Sequence, residues 1–137
     1  MKQLKLLNGE TMTKITVRYK GDESRYVSVS LNIDVKIGER RMLSDDCQVN
    51  ALLKQGSYKK TNEKFDQACK AACSSGILYA IQKGRIEYFQ ITIHKIGGCV
   101  KEGDGDGFAV AGMLAAYNEL DMNWNIKSSD YMGWYPV

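Results

Sequence analysis

The chain of 137 residues carries 44% hydrophobic and 26% charged side chains and a formal net charge of +3. That is enough for one domain, 1–137, with its own buried core and no need of disulfides or a metal to hold it. The composition is that of an ordinary globular protein, which excludes disordered and fibrous classes. No stretch approaches the ~20 apolar residues of a membrane-spanning helix, and MKQLKLLNGE lacks the apolar run and cleavage site of a secretory leader. A cytoplasmic protein is expected, with a mild positive charge that permits an acidic partner without demanding one.

Taken in chain order, Lys2–Leu7 reads as a short strand closed by the Asn8-Gly9 turn. Thr13–Lys20 is a second strand, with Ile15, Val17 and Tyr19 on one side and Lys14, Thr16, Arg18 and Lys20 on the other. After the turn Gly21-Asp22-Glu23-Ser24 comes the clearest strand, Arg25–Ile37. Val27, Val29, Leu31, Ile33, Val35 and Ile37 alternate with Tyr26, Ser28, Ser30, Asn32, Asp34 and Lys36, which predicts one buried and one wet face. Ser44-Asp45-Asp46 has the chemistry of a helix N-terminus and predicts a short helix over Cys47–Gln55, followed by a loop at Gly56–Lys60. Thr61-Asn62 caps a main helix, Glu63–Lys83, which Gly84 can end.

The apolar stripe of that helix (Phe65, Ala68, Cys69, Ala72, Cys73, Gly76, Ile77, Ala80) is mostly small, so the helix is expected to lie close against its sheet. Glu87–Ile96 is the next strand, with Phe89, Ile91 and Ile93 inward and Tyr88, Gln90, Thr92 and His94 outward, broken by Gly97-Gly98. Phe108–Leu120 forms the last helix. The tail 121–137 holds Trp124, Tyr131, Trp134 and Tyr135, a density of aromatics that predicts packing on the body or docking to a partner. The order β-β-β-α-α-β-α implies a two-layer α/β sandwich of the α+β class, its mostly antiparallel sheet covered by helices on one face and open on the other.

Ser75-Gly76-Ile77-Leu78, then Gln90-Ile91-Thr92-Ile93, then Phe108-Ala109-Val110-Ala111-Gly112 follow one another as in domain IV of elongation factor G, which residues 65–120 resemble. The resemblance implies the second-domain fold of ribosomal protein S5, including its uncommon left-handed β-α-β crossover. It also implies a ribosome-facing tip loop. That loop carries a Gly-Ser-Tyr-His-acidic pattern in the family, whereas here the stretch is Gly98-Cys99-Val100-Lys101-Glu102, without a histidine. No phosphate-loop motif is present, which excludes GTP hydrolysis by that route.

Other motifs stop short of chemistry. Glu102-x-Asp104-x-Asp106-Gly107 begins like a calcium loop, but the closing position is Met113; Asp106 is instead expected to cap the following helix. Cys69 and Cys73, four apart, share a helix face and read as close packing rather than half a metal site. No metal and no cofactor are expected. A histidine suits general-base work near neutral pH, but no triad vocabulary surrounds His94, so no catalytic residue is assigned.

What remains is surface. The wet sheet face offers Lys14, Arg18, Tyr26, Tyr88 and His94, the tip loop Lys101, and the tail Trp124 and Trp134 as binding residues. A second basic cluster, Lys54, Lys59, Lys60 and Lys64, surrounds the loop before the main helix. The expectation is a non-catalytic binding domain acting through a protein partner or self-association. The alternatives are a ribosome- or RNA-binding accessory protein and an enzyme of the S5-like superfamily.

Overall fold

The computed structural model describes residues 2–5, 11–35, 39–55, 57–59, 63–122 and 131–137. Their elements run β1 (Lys2–Lys5), β2 (Thr11–Tyr19), β3 (Asp22–Asp34), β4 (Arg41–Ser44), β5 (Val49–Gln55), β6 (Ser57–Lys59), α1 (Glu63–Lys83), β7 (Phe89–Val100), α2 (Gly105–Glu119) and β8 (Trp134–Pro136). The strands form one sheet in the order β1-β2-β3-β7-β5-β6, with β8 added to β2 and β4 to β7. All neighbours are antiparallel except β4 and β5, which run parallel to β7. Both helices pack on one side, α2 across β2 and β3, α1 against α2 and β5. The molecule is therefore a two-layer α+β sandwich with an open sheet face.

Strict alternation decides the central strands. Ile15 and Val17 of β2, Val27, Val29 and Leu31 of β3, and Ile91, Ile93 and Ile96 of β7 are buried under the helices. Beyond Leu31 the cover thins: Ile33 is half-buried and Val35, past the strand end, is 44% exposed. Ile37 and the Asn8-Gly9 turn lie outside the described residues, as do the Thr61-Asn62 cap and Trp124.

Several elements differ from the sequence expectation. Cys47–Gln55 is not a helix; a bend at Cys47 leads into strand β5. There Val49, Ala51 and Leu53 turn toward the core while Asn50 and Leu52 are exposed, a period of two that the Asp45-Asp46 cap signal masks. Ser57–Lys59, expected as loop, pairs with β5. β7 runs through Gly97-Gly98 to Val100 instead of breaking there. Between its pairings Ser30–Lys95 and Leu31–Ile93 it carries one extra residue, His94. This bulge shifts the inward set from Phe89, Ile91 and Ile93 to Ile96 and Val100.

The small stripe of α1 faces α2 more than the sheet. A Cβ on Gly76 would stand 1.9 Å from the Ala109 carbonyl oxygen, and one on Gly112 would stand 2.4 Å from that of Cys73. Only glycine permits this backbone approach. α1 ends at Lys83 as expected, but Arg85 rather than Gly84 takes the left-handed conformation (φ 53°). The Ile86 and Arg85 amides then donate to the Ile81 and Gln82 carbonyls and close the last turn. α2 starts at Gly105, so Asp106 lies in its first turn and Asp104 holds the N-cap position.

Candidate functional site

On the open face the register sets out rows of side chains, each strand ~4.8 Å from the next. One row runs Tyr135 (β8), Arg18 (β2), Tyr26 (β3), Cys99 (β7), Leu52 (β5). The Arg18 guanidinium lies 5.6 Å from the Tyr26 ring centre, and its Nη1 donates to the Glu23 carbonyl at 2.8 Å. The Tyr135 hydroxyl donates to the Glu23 carboxylate at 3.1 Å. Tyr26 and Leu52 are 36% and 47% exposed, while Cys99 between them is buried. The second row is Thr16, Ser28, Gly97 and Asn50, with the Thr16 and Ser28 hydroxyls 2.8 Å apart. The third is Lys14, Ser30 and Lys95. Beside it the bulge residue His94 meets the Asn32 side-chain oxygen through Nε2.

The structure thus gathers Lys14, Arg18, Tyr26 and His94 on one surface. It separates the other expected residues. Tyr88 lies just before β7 at the far end, half-buried beneath the Arg41 guanidinium, and is not part of the face. Lys101 is exposed beyond the opposite end of β7, and its backbone amide donates to Asp104 at 2.7 Å.

Trp134 corrects the expectation outright: it is 2% exposed, a core side chain set edge-on to Tyr19 at 5.2 Å. A Cβ on Gly107 would meet its ring at 2.8 Å, so the glycine of the loop makes room for the indole. Tyr131 is buried as well. Within the described residues the tail packs on the body, because large apolar rings gain more from burial than from exposure.

Next to Trp134 sits a charge pair that sequence reading missed. Arg25 donates through Nε to Asp104 at 3.0 Å and through Nη2 to the other carboxylate oxygen, and it stacks 4.0 Å over the Tyr19 ring. Hydrogen bonding to Asp104 pushes the Arg25 pKa still further up. Asp104 is therefore occupied with Arg25 and the Lys101 amide. Among the described residues no three His, Cys, Asp or Glu side chains form a metal set. Burial pushes the Cys69 thiol up to about 12 and the Cys73 thiol further in the same direction, which keeps both protonated and unsuited to ligation.

A cleft of about 160 Å³ lies between Phe65, Ala68 and Cys69 of α1 and the loop from Val100 to Gly105. It is smaller than the ~300 Å³ at which ligand pockets begin. No helix among the described residues is long and apolar enough to cross a membrane. No protein-family model matches the chain, and no curated protein matches it.

Proposed function

We propose that this is a non-catalytic, cytoplasmic binding protein that docks a protein partner, another copy of itself included, on its open sheet face. The observation that carries this reading is the row Arg18–Tyr26–Cys99–Leu52. It combines an arginine, an exposed tyrosine and an exposed leucine over a buried floor. Arginine and tyrosine are common anchors at protein interfaces, and Leu52 adds apolar area that water does not favour. The helix-covered side offers instead the adjacent pair Leu78 and Tyr79. With Tyr131 and Trp134 in the core, the described part of the tail does not support docking, and the sheet face bears the proposal. Likeness to elongation factor G domain IV and the S5-like fold belongs to the same proposal, through the order of helix, strand, loop and helix in 65–120.

A ribosome- or RNA-contacting role is the second reading. It is favoured by Lys14 and Lys95 standing exposed on the same face, with Lys101 beyond its end.

Photo-crosslinking side chains placed singly at Tyr26, Leu52 and, as control, Leu78 test both in cells that naturally make the protein. Protease-sensitive adducts from positions 26 and 52 but not 78 are expected. Nuclease-sensitive adducts from the same two positions would favour the second reading. Adducts from 78 alone, or from none, would remove the sheet face from consideration.

A further inference from the structure

Ser30 is only 5% exposed although it lies on the open face. The reason is local: it is the short side chain of its row. Lys14 flanks it on one side, and the bulge places both His94 and Lys95 opposite it on the other. The serine thus forms the floor of a depression with two exposed ammonium-bearing side chains on its rim. Neither Lys14 nor Lys95 forms an ion pair among the described residues.

The surroundings share one electrostatic character. The row on one side holds Thr16, Ser28, Gly97 and Asn50; the row on the other holds Asn32, Thr92 and Ser44. Neither contains a carboxylate. Hydroxyls and amides there can donate, and His94, with Nε2 engaged by Asn32, keeps Nδ1 for a second contact. Two lysines in register on either side of a sheltered serine suit a compact oxyanion, because charge-assisted hydrogen bonds are the strong ones and shielding from water strengthens them.

We propose that Lys14, Ser30, His94 and Lys95 form an oxyanion site that holds a phosphoryl group carried by the protein partner. The site rests on the docking reading and supplies its chemical selectivity. A phosphomonoester suits it better than a nucleic-acid backbone running along the strands, because in that direction the positive spot is short. Going along β3 toward one end the face reaches Glu23, bonded to Tyr135, and toward the other it reaches Asp34. Arg18, the next cation, is already held by the Glu23 carbonyl. A polyanionic strand laid along the face would meet acids on both sides of the spot, whereas a single dianion meets none.

The test is a titration of the full, isotope-labelled chain with inorganic phosphate at constant ionic strength, read by amide chemical shifts. Saturable shifts centred on Lys14, Ser30, His94 and Lys95 are expected. In the double variant Lys14→Gln/Lys95→Gln binding should weaken about tenfold or more, as for the loss of two charge-assisted contacts. Ser30→Asp should abolish it while the spectrum stays that of a folded protein. Shifts that grow linearly with phosphate, or that centre on Lys101 or Lys59, would overturn the site.

A phosphoserine pentapeptide and a ten-residue oligouridylate then separate the sources of phosphate. The peptide should compete with inorganic phosphate and its unphosphorylated form should not; tighter binding of the oligouridylate would overturn the partner class. Crosslinking from Tyr26 without any saturable phosphate response would defeat the site and leave the docking face intact. Saturable phosphate binding without crosslinking would defeat the docking face instead.

Discussion

The two faces of the central strand β3 differ more than any two elements of the fold. Val27, Val29 and Leu31 are wholly buried, and their neighbours Tyr26, Ser28 and Asn32 keep some exposure. The covered face is uniform and apolar, so its stability comes from area removed from water. The open face is heterogeneous: an arginine over a tyrosine, a hydroxyl pair, a serine between lysines. Burial forgives little variety, and recognition requires it. The same strand can serve both because its side chains alternate with a period of two.

The largest effect should come from exchanging the faces' chemistry. Leu31→Asp is expected to destabilise by about 4 kcal/mol because it buries an unpaired charge; Ser30→Asp, one residue away and also sheltered but set between Lys14 and Lys95, should cost far less. Equal losses in denaturant midpoint would break the comparison.

A smaller effect should come from the edge of the covered face, where its one described ion pair lies. Asp104→Ala leaves the half-buried Arg25 without its carboxylate, and a loss of about 2 kcal/mol is expected. The double change Arg25→Met/Asp104→Leu should recover much of it in the same unfolding assay. No recovery would mean that the pair does more than satisfy itself.

The smallest concerns Glu119, half-buried at the C-terminal end of α2. Burial raises its pKa, with contacts to Thr13 pulling it partly back. A negative charge there also opposes the helix dipole. With the folded-state pKa above the unfolded one, the folded chain binds the proton more tightly, and stability falls as pH rises from the usual glutamate range through the raised value. Glu119→Gln should therefore raise the unfolding midpoint slightly at pH 7. That gain should fade as pH is lowered toward ~4, the ordinary glutamate range. A pH-independent gain would point to packing instead.

Legibility in the sequence followed the length of the uninterrupted pattern. β2, β3 and α1 were readable because their periods run for two turns or more without a fault. β4 and β5 were not, since they are short and the Asp45-Asp46 step between them imitates a helix cap. The Gly97-Gly98 step reads as a break. Its cause shows only in three dimensions: a Cβ on Gly98 would stand 2.2 Å from the Tyr26 carbonyl oxygen, so the glycine lets β7 continue beside β3. Of the binding residues, Lys14, Arg18 and Tyr26 could be placed on the wet face from alternation alone. Ser30 could be placed there too, but Lys95 could not, and the meeting of Ser30 with Lys14 and Lys95 depends on strand register and on a bulge. The only trace of that bulge is the slip of phase between Ile93 and Ile96. Trp134 was misread because composition cannot distinguish an aromatic that docks from one that packs.

The pairing of β8 with β2 has a kinetic side. Tyr19 and Trp134 stand opposite each other, so the edge of the sheet is completed by joining residues from nearly opposite ends of the sequence. Such a closure fixes a very long loop and is rewarded only once most other contacts exist. The hairpin of β2 and β3 can form early, and it must wait for Trp134 to fill the space above Gly107. Refolding should therefore be slow for a chain of this size, with the indole environment the last signal to mature.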